Sequence, residues 1–523
     1  VGIALARMGV EVGVVLSGAS AGLAPIMLRR DRELEVREED LVLIRDERLE
    51  GYYMLGVVRW VTRHEPFLRR NTHNIYAEHP EALDSELVMP FSNAYVEIYG
   101  GLCDGGSVCG GERGLVSNVY APTPGSRVYR LVDAEPLTEY LGVPSDKAIS
   151  VGVHKYTGWR LPLDPRWVPY HVGVFGATGT GKSRLVQRLV KELVGRGYGV
   201  IIFDHSGVDY APRAEALGAR VVKSSEIRIN PIVFASTVSR YMSLTGQQRD
   251  AVELAAMCFA MKIYSENGGK GYESEECREA LEARVARRGR SLHSFTQQRA
   301  GGGDGGKGVR ERFLEEALEP VAARFNMRDA TIAKLRLMVK LVVPRSVFEA
   351  LPGRRLEPGE IVREAAAGKP VVIDMSDEQD IEVKRAIIAS VARAAWELVW
   401  ETMSPVNIGL VVDEAQNYAC EYCGESGRAL ETIAREGRKW GLFLVVASQR
   451  VSRDIRPGVR SNLGTVFFSR LQATGDLQEL SGYLDLGRVT EASLAMLGRR
   501  EFYVAGLMNP LRRPLLLVVD EVS

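Results

Sequence analysis

At 523 residues the chain is long enough for two to four domains, each with a core of its own. A hydrophobic content of 46%, a charged content of 26% and a formal net charge of zero describe an ordinary globular composition and exclude a uniformly basic nucleic-acid binder, leaving room for a local basic channel. No apolar run approaches the roughly 20 residues of a membrane-spanning helix, so no membrane role is expected, and six cysteines are too few for a secreted disulfide scaffold. The basic residues are 13 Lys against 54 Arg, a bias that suits charge networks at high temperature.

The first 25 residues have a faint secretory look, but Glu11 interrupts the apolar stretch, and GVEVGVVL reads as an opening β-strand. LVLIRD, YYMLGVVRWV and AYVEIYG follow as further strands with Gly, Pro and Asp between them, so residues 1–165 predict a small β-barrel or sandwich. From His171 the pattern changes to continuous apolar runs: HVGVFGA, GVIIFD, PVVIDM, IGLVVDEA, LFLVVAS and TVFFSRL, most of them separated by helical segments. That alternation predicts an α/β core with a parallel sheet covered on both faces, over residues 166–231 and 346–523. Between them, residues 232–345 read as a helical insertion, carried by AVELAAMCFAMKIY, ECREALEARVARRG and ATIAKLRLMVKLVV and broken by the low-complexity stretch RAGGGDGGKG, read as a flexible surface loop. REFYVAGL and LLLVVDE close the chain as an antiparallel pair around Asn509-Pro510.

Gly176-Ala177-Thr178-Gly179-Thr180-Gly181-Lys182-Ser183 matches G-x-x-x-x-G-K-[ST] between a predicted strand and a predicted helix that continues at Arg184. In that context the glycines let backbone N–H groups turn inward around phosphate oxygens. The helix N-terminus adds partial positive charge, Lys182 reaches the outer phosphates, and the Ser183 hydroxyl ligates Mg²⁺. ATP and Mg²⁺ are the expected ligands. Asp413 ends the strand IGLVVD, where the second, acidic Mg²⁺ ligand belongs, and Glu414 is placed to take a proton from an attacking water. Asp374, at the end of PVVIDM, ranks second as a metal ligand. Gln449, after LFLVVAS, can sense the γ-phosphate or orient water.

The helix read over Gly427–Lys439 puts Leu430, Ile433, Ala434 and Gly437 on one face and Arg428, Glu431, Arg435 and Arg438 on a neighbouring stripe. Glu431 precedes Arg435 by four, an ion-pair spacing; Arg438 has no acidic residue four before it and is the better candidate for an arginine finger toward a neighbouring subunit. Cys420 and Cys423 in the same region, and Cys103 and Cys109 in a Gly-rich loop, read as buried thiols or disulfides ahead of a shared four-Cys zinc site. Two basic stretches could meet DNA phosphates: Arg450–Arg460, which includes Arg453, Arg456 and Arg460, and Arg278–Arg312.

Together these residues resemble the HerA family of the HerA/FtsK superfamily. The likeness rests on LGVPSDKAISVGVHKYTGWRLPLDPRWVPYHVGVFGATGTGKS, VVDEAQN, IAREGRKWGLFLVVASQR and Arg470-Leu471, and on the 231 positions from Lys182 to Asp413 that suit a long insertion. The chain differs from the family pattern at Asp204-His205-Ser206-Gly207-Val208-Asp209-Tyr210 and at Gln416. The resemblance implies a RecA-like P-loop ATPase core behind a small β-barrel. It also implies a homohexameric ring on double-stranded DNA, a NurA-like nuclease partner in end resection, a cytoplasmic setting, and Arg438 or Arg435 as the trans-acting arginine. A conjugation or secretion motor of the same superfamily, and a nucleotide-gated scaffold with little turnover, are the alternatives.

Overall fold

Seven strands open the chain: β1 (Gly9–Val15), β2 (Leu23–Leu28), β3 (Leu41–Arg45), β4 (Tyr52–His64), β5 (Phe91–Asp104), β6 (Arg113–Val116) and β7 (Arg127–Leu131). The order β2-β1-β7-β3-β4-β5 returns from β5 to β2, closing a six-strand barrel with β6 on the outer edge of β5. Closure leaves the barrel's six strands without an open edge. Alternating residues of these strands, among them Val12, Ile26, Ile44, Met54, Val96 and Val128, fill the interior. Of the two shapes the sequence allowed, the barrel is the one formed. The computed structural model describes residues 8–64, 78–79, 81, 91–244, 246–282, 308–451, 454–473 and 475–521.

The chain divides into two compact units: Val1–Gly197 with Val445–Arg453 and Arg460–Ser523, and Tyr198–Leu444 with Asp454–Val459. After the barrel, the first unit adds β8 (Gly152–His154), β9 (Val172–Phe175) and helix α1 (Lys182–Val194).

The second unit holds β10 (Gly199–Asp204), β11 (Arg220–Lys223), β12 (Val371–Asp374) and β13 (Ile408–Val412), in the order β11-β12-β10-β13 and all parallel. β10, β12 and β13 are buried along their whole length, as expected of parallel strands covered on both faces. Helices α2 (Ile381–Thr402) and α3 (Glu425–Glu436) belong to this unit. So do the insertion helices Pro231–Arg240, Gln247–Glu266, Glu275–Glu282 and Asp329–Val342, joined by a run through Val309–Arg324 that widens to a π-helix at Phe313–Leu318. Phe313 of the insertion stacks on Phe348 and meets Phe259 edge-on. All but the last residue of RAGGGDGGKG, and most of Arg278–Arg312, lie outside the described residues.

The chain returns to the first unit along β14 (Leu442–Ser448), whose last four residues pair parallel with β9. β15 (Thr465–Phe468) runs parallel to β9 on its other side. β16 (Glu501–Gly506) and β17 (Leu515–Val519) continue antiparallel, and β17 pairs with β8. The sheet is therefore mixed, not wholly parallel. The closing pair was expected, but an apolar run buried on both faces carries no sign of its direction, so its antiparallel docking on β15 was not.

Within this unit the barrel is fastened to the β16–β17 pair by buried charge. The Arg59 guanidinium, 5% exposed, binds Glu39 at 2.7 Å and Glu97 at 2.6 Å. It also donates to the Tyr99 hydroxyl and to the Pro514 carbonyl, and Arg513 binds Glu97 at 3.4 Å. His154 is buried beside this cluster, hydrogen-bonded to the Glu39 carbonyl at 3.1 Å. Among the described residues no helix is long and apolar enough to cross a membrane.

Candidate functional site

The phosphate loop leaves β9 at Gly176 and enters α1 at Lys182. Gly179 and Gly181 take φ values of +81° and +104°, which turn successive N–H groups to one side and which residues with a Cβ adopt only under strain. The Lys182 ammonium is held over the loop, donating to the carbonyls of Gly176 at 2.8 Å and Ala177 at 3.3 Å. Ser183 and Arg184 follow in the first turn of α1, both half-buried. The inward N–H groups, a helix N-terminus, an ammonium and a hydroxyl fit a nucleotide's phosphates and their Mg²⁺.

Gln449 stands beside this loop. Its Oε1 accepts a hydrogen bond from the Thr178 hydroxyl at 3.0 Å. Two contacts on the same loop went unread in the sequence. The Arg470 carbonyl accepts from Ala177 N–H at 2.6 Å, and Arg500 N–H donates to the Thr180 carbonyl at 2.8 Å. Arg500 sits at φ +67°, with its side chain against Gly181. Both are backbone contacts made from some 300 residues away, so no motif could mark them.

In the second unit, Asp413 directly follows β13 and is buried. Burial, with Glu414 and Asp209 nearby, pushes its carboxyl up to about 7. Glu414 has a left-handed backbone, φ +47°, uncommon for a residue with a side chain and frequent at functional sites. Its carboxylate accepts from the Gln416 amide, and its carbonyl accepts from Asn417 N–H at 2.9 Å.

The altered stretch after β10 is built around Asp204. Its buried carboxylate accepts N–H bonds from Gly207, Tyr210 and Ala211 at 2.9–3.0 Å. His205 bonds through Nδ1 to the Tyr418 hydroxyl, and Lys384 on α2 donates to the His205 carbonyl at 3.0 Å. The neighbouring Arg385 donates to the Asn417 carbonyl at 2.8 Å, so two adjacent residues of one helix hold the loops after β10 and β13. Asp374, the second-ranked metal ligand, is ion-paired to Lys223 and accepts from Ser376 N–H, which holds its carboxyl below the usual carboxylate range despite partial burial.

Helix α3 ends at Glu436, and a 3₁₀ turn, Gly437–Trp440, carries Arg438 on to an exposed position. Arg435 pairs with Glu431 at 2.9 Å, as its spacing predicted. Glu431 also binds Arg456 at 2.6 Å. Arg460 pairs with Glu479 at 3.0 Å and is 10% exposed by its side chain. Both of these expected DNA contacts are thus turned toward carboxylates, and Arg453 lies outside the described residues. Cys420–Cys423, Cys103–Cys109 and Cys258–Cys277 are disulfides, so each of the two pairs read from the sequence closes on itself instead of sharing a zinc ion. Among the described residues no group of three or more His, Cys, Asp or Glu is arranged to hold a metal by itself.

The family model described as "Helicase HerA, central domain" matches residues 149–395, from just before β8 into α2. VirB4 of Thermoanaerobacter pseudethanolicus is similar in structure, with a TM-score of 0.50 and 18% identity over 72% of this chain and 98% of that one. The plasmid coupling protein TrwB, in complex with a non-hydrolysable ATP analogue, aligns with a TM-score of 0.47 and 18% identity over 74% of this chain and 92% of its own. No curated protein sequence matches the chain. Residues 149–395, which include the phosphate loop, are thus similar to the central domain of the HerA helicase family, and the chain shares its fold with VirB4.

Proposed function

We propose that the protein hydrolyses ATP with Mg²⁺ to drive double-stranded DNA through a ring of six copies, in partnership with a NurA-like nuclease at broken ends. The observation that carries this reading is the HerA central-domain match running across the phosphate loop, whose Gly179 and Gly181 have left-handed backbones. In this reading the loop N–H groups and Lys182 bind and orient the phosphates. Ser183 and Asp413 would hold Mg²⁺, which when bound neutralises phosphate charge. Glu414 takes the proton of the attacking water, Gln449 orients that water, and Arg438, with Arg435 behind it, serves the neighbouring copy. DNA would be gripped through its phosphates, without base readout.

The test is ATP hydrolysis with and without linear duplex DNA, alongside light scattering. Duplex-stimulated turnover and a mass near six chains are expected. A monomer in the presence of nucleotide and DNA, with turnover indifferent to duplex, would overturn the proposal. A conjugation or secretion motor is the second reading, suggested by the fold shared with VirB4; stimulation by single strands but not by duplex would favour it.

A further inference from the structure

Tyr418 follows Glu414 by four residues, and its side chain is fully buried. A buried hydroxyl has to place its hydrogen on an acceptor. Among the described residues the one partner of the Tyr418 hydroxyl is Nδ1 of His205. The Tyr418 proton therefore points at Nδ1, which is the bare nitrogen of a neutral imidazole, and the ring's own proton sits on Nε2. Burial and the Lys384 ammonium hold His205 below its ordinary 6.5, against the pull of Glu414 and Asp204, so the ring stays neutral at pH 7.

The ring is also fixed in place. Lys384 donates to the His205 carbonyl at 3.0 Å, and Arg385, next on α2, donates to the carbonyl of Asn417, the residue before Tyr418, at 2.8 Å. The two rings meet edge to face, with centroids 5.8 Å apart. His205 directly follows β10, and Glu414 stands two residues past β13, its parallel neighbour. Both are thus at the carboxyl ends of strands, where open α/β sheets bind ligands. His205 is half-buried, and its Nε2 has no hydrogen-bond partner among the described residues. A fixed N–H donor suits an acceptor that the chain does not supply. Beside a base that takes a proton from water, that acceptor is the phosphate under attack, whose oxygens carry charge through the transition state.

We infer that His205 is a further catalytic residue, whose Nε2–H donates to an oxygen of the nucleotide's terminal phosphate, and that Tyr418 is the positioning residue that keeps the proton on that nitrogen. The inference rests on the reading above, in which Glu414 takes the proton of the water attacking that phosphate.

The two ring nitrogens can be tested apart. An Asn amide reaches about as far as Nδ1 and a Gln amide about as far as Nε2, so His205→Asn keeps a partner for Tyr418 and His205→Gln keeps a donor for the phosphate. ATP hydrolysis and titration with a non-hydrolysable ATP analogue, both with Mg²⁺, are measured on the intact protein. His205→Asn is expected to lower kcat at least tenfold, with KM and the analogue's Kd within about threefold. His205→Gln should keep kcat within about fivefold of the parent protein's, and Tyr418→Phe, which lets the ring proton move to Nδ1, should lower kcat about threefold or more. A parent-like kcat in His205→Asn would overturn the inference. So would a loss in His205→Gln as large as that in His205→Asn, since that marks a structural role. If His205→Asn fails to fold, Tyr418→Phe decides, and an unchanged kcat there overturns the inference. Failure of the underlying reading looks different: Glu414→Gln would hydrolyse ATP as fast as the parent protein does.

Discussion

Removing the Lys182 ammonium and removing the Glu414 carboxylate should damage different steps. Lys182→Ala is expected to weaken nucleotide binding at least tenfold, because the loop loses its one cation. Glu414→Gln keeps the shape and loses the proposed base, so turnover should fall by roughly 10²–10⁴ while nucleotide affinity stays within a few-fold. Steady-state hydrolysis paired with binding titration separates the two, and unchanged turnover in Glu414→Gln would remove that residue from the mechanism. Gln449 is a milder case. Held by Thr178, its amide can act on water without binding the nucleotide, so Gln449→Ala should lower kcat about tenfold and leave KM within about threefold. A change confined to KM would make it a binding residue instead. These side chains were legible because each sits at a strand end or in a spaced motif. Arg470 and Arg500 were not, because they reach the loop through main-chain atoms that any residue would supply.

The loop after β10 shows what an element needs beyond its pattern. Asp204 gathers three N–H groups, which forces Gly207 to φ +72° and presses it against the next strand's end. A Cβ there would fall on Asp374 Oδ1 and 2.8 Å from the Ser376 Cβ. Gly207→Ala should therefore cost about 2 kcal/mol of stability, seen as a lower melting temperature. An unchanged melting temperature would show that the loop can rearrange. The six apolar runs from His171 onward were all found as strands, because burial on both faces leaves a continuous signal. β8 and β11, of three and four residues, were too short to show a period, and β11 alternates little. Disulfide pairing was equally unreadable: Cys258 and Cys277 meet because the chain turns back between helices Gln247–Glu266 and Glu275–Glu282, and nothing local to either cysteine marks it.

Across the molecule, barrel, core and insertion were readable in order. The sharing of the chain between two compact units was not, since it depends on where β14 pairs and not on what β14 contains. Two buried groups in the first unit give predictions at this scale. Arg59→Ala would leave Glu39 and Glu97 as unpaired buried carboxylates and should destabilise the protein by about 3–5 kcal/mol. A loss below about 1 kcal/mol in denaturant unfolding would mean that water reaches the cluster. His154 gives a pH dependence. Burial lowers it from an ordinary 6.5 to about 4, so between those values the unfolded chain takes up a proton that the folded chain refuses. Stability is then complete above pH 6.5 and declines as pH falls, by about 3 kcal/mol at pH 4. His154→Gln, which cannot titrate, should unfold with a shallower acid slope, and an identical slope would remove His154 as its source.

The cluster around Arg59 also sets a timetable for biosynthesis. Arg59 and the Pro514 carbonyl it binds are separated by 455 residues. At roughly 5–20 residues per second, a ribosome needs on the order of half a minute or more to make the second after the first. Throughout that interval the barrel has all its strands but lacks the carbonyl and the Arg513 cation that complete its charged face. A nascent chain of this protein therefore carries an electrostatically unfinished barrel until Arg513 and Pro514 emerge, and a chain cut short near residue 500 never completes it.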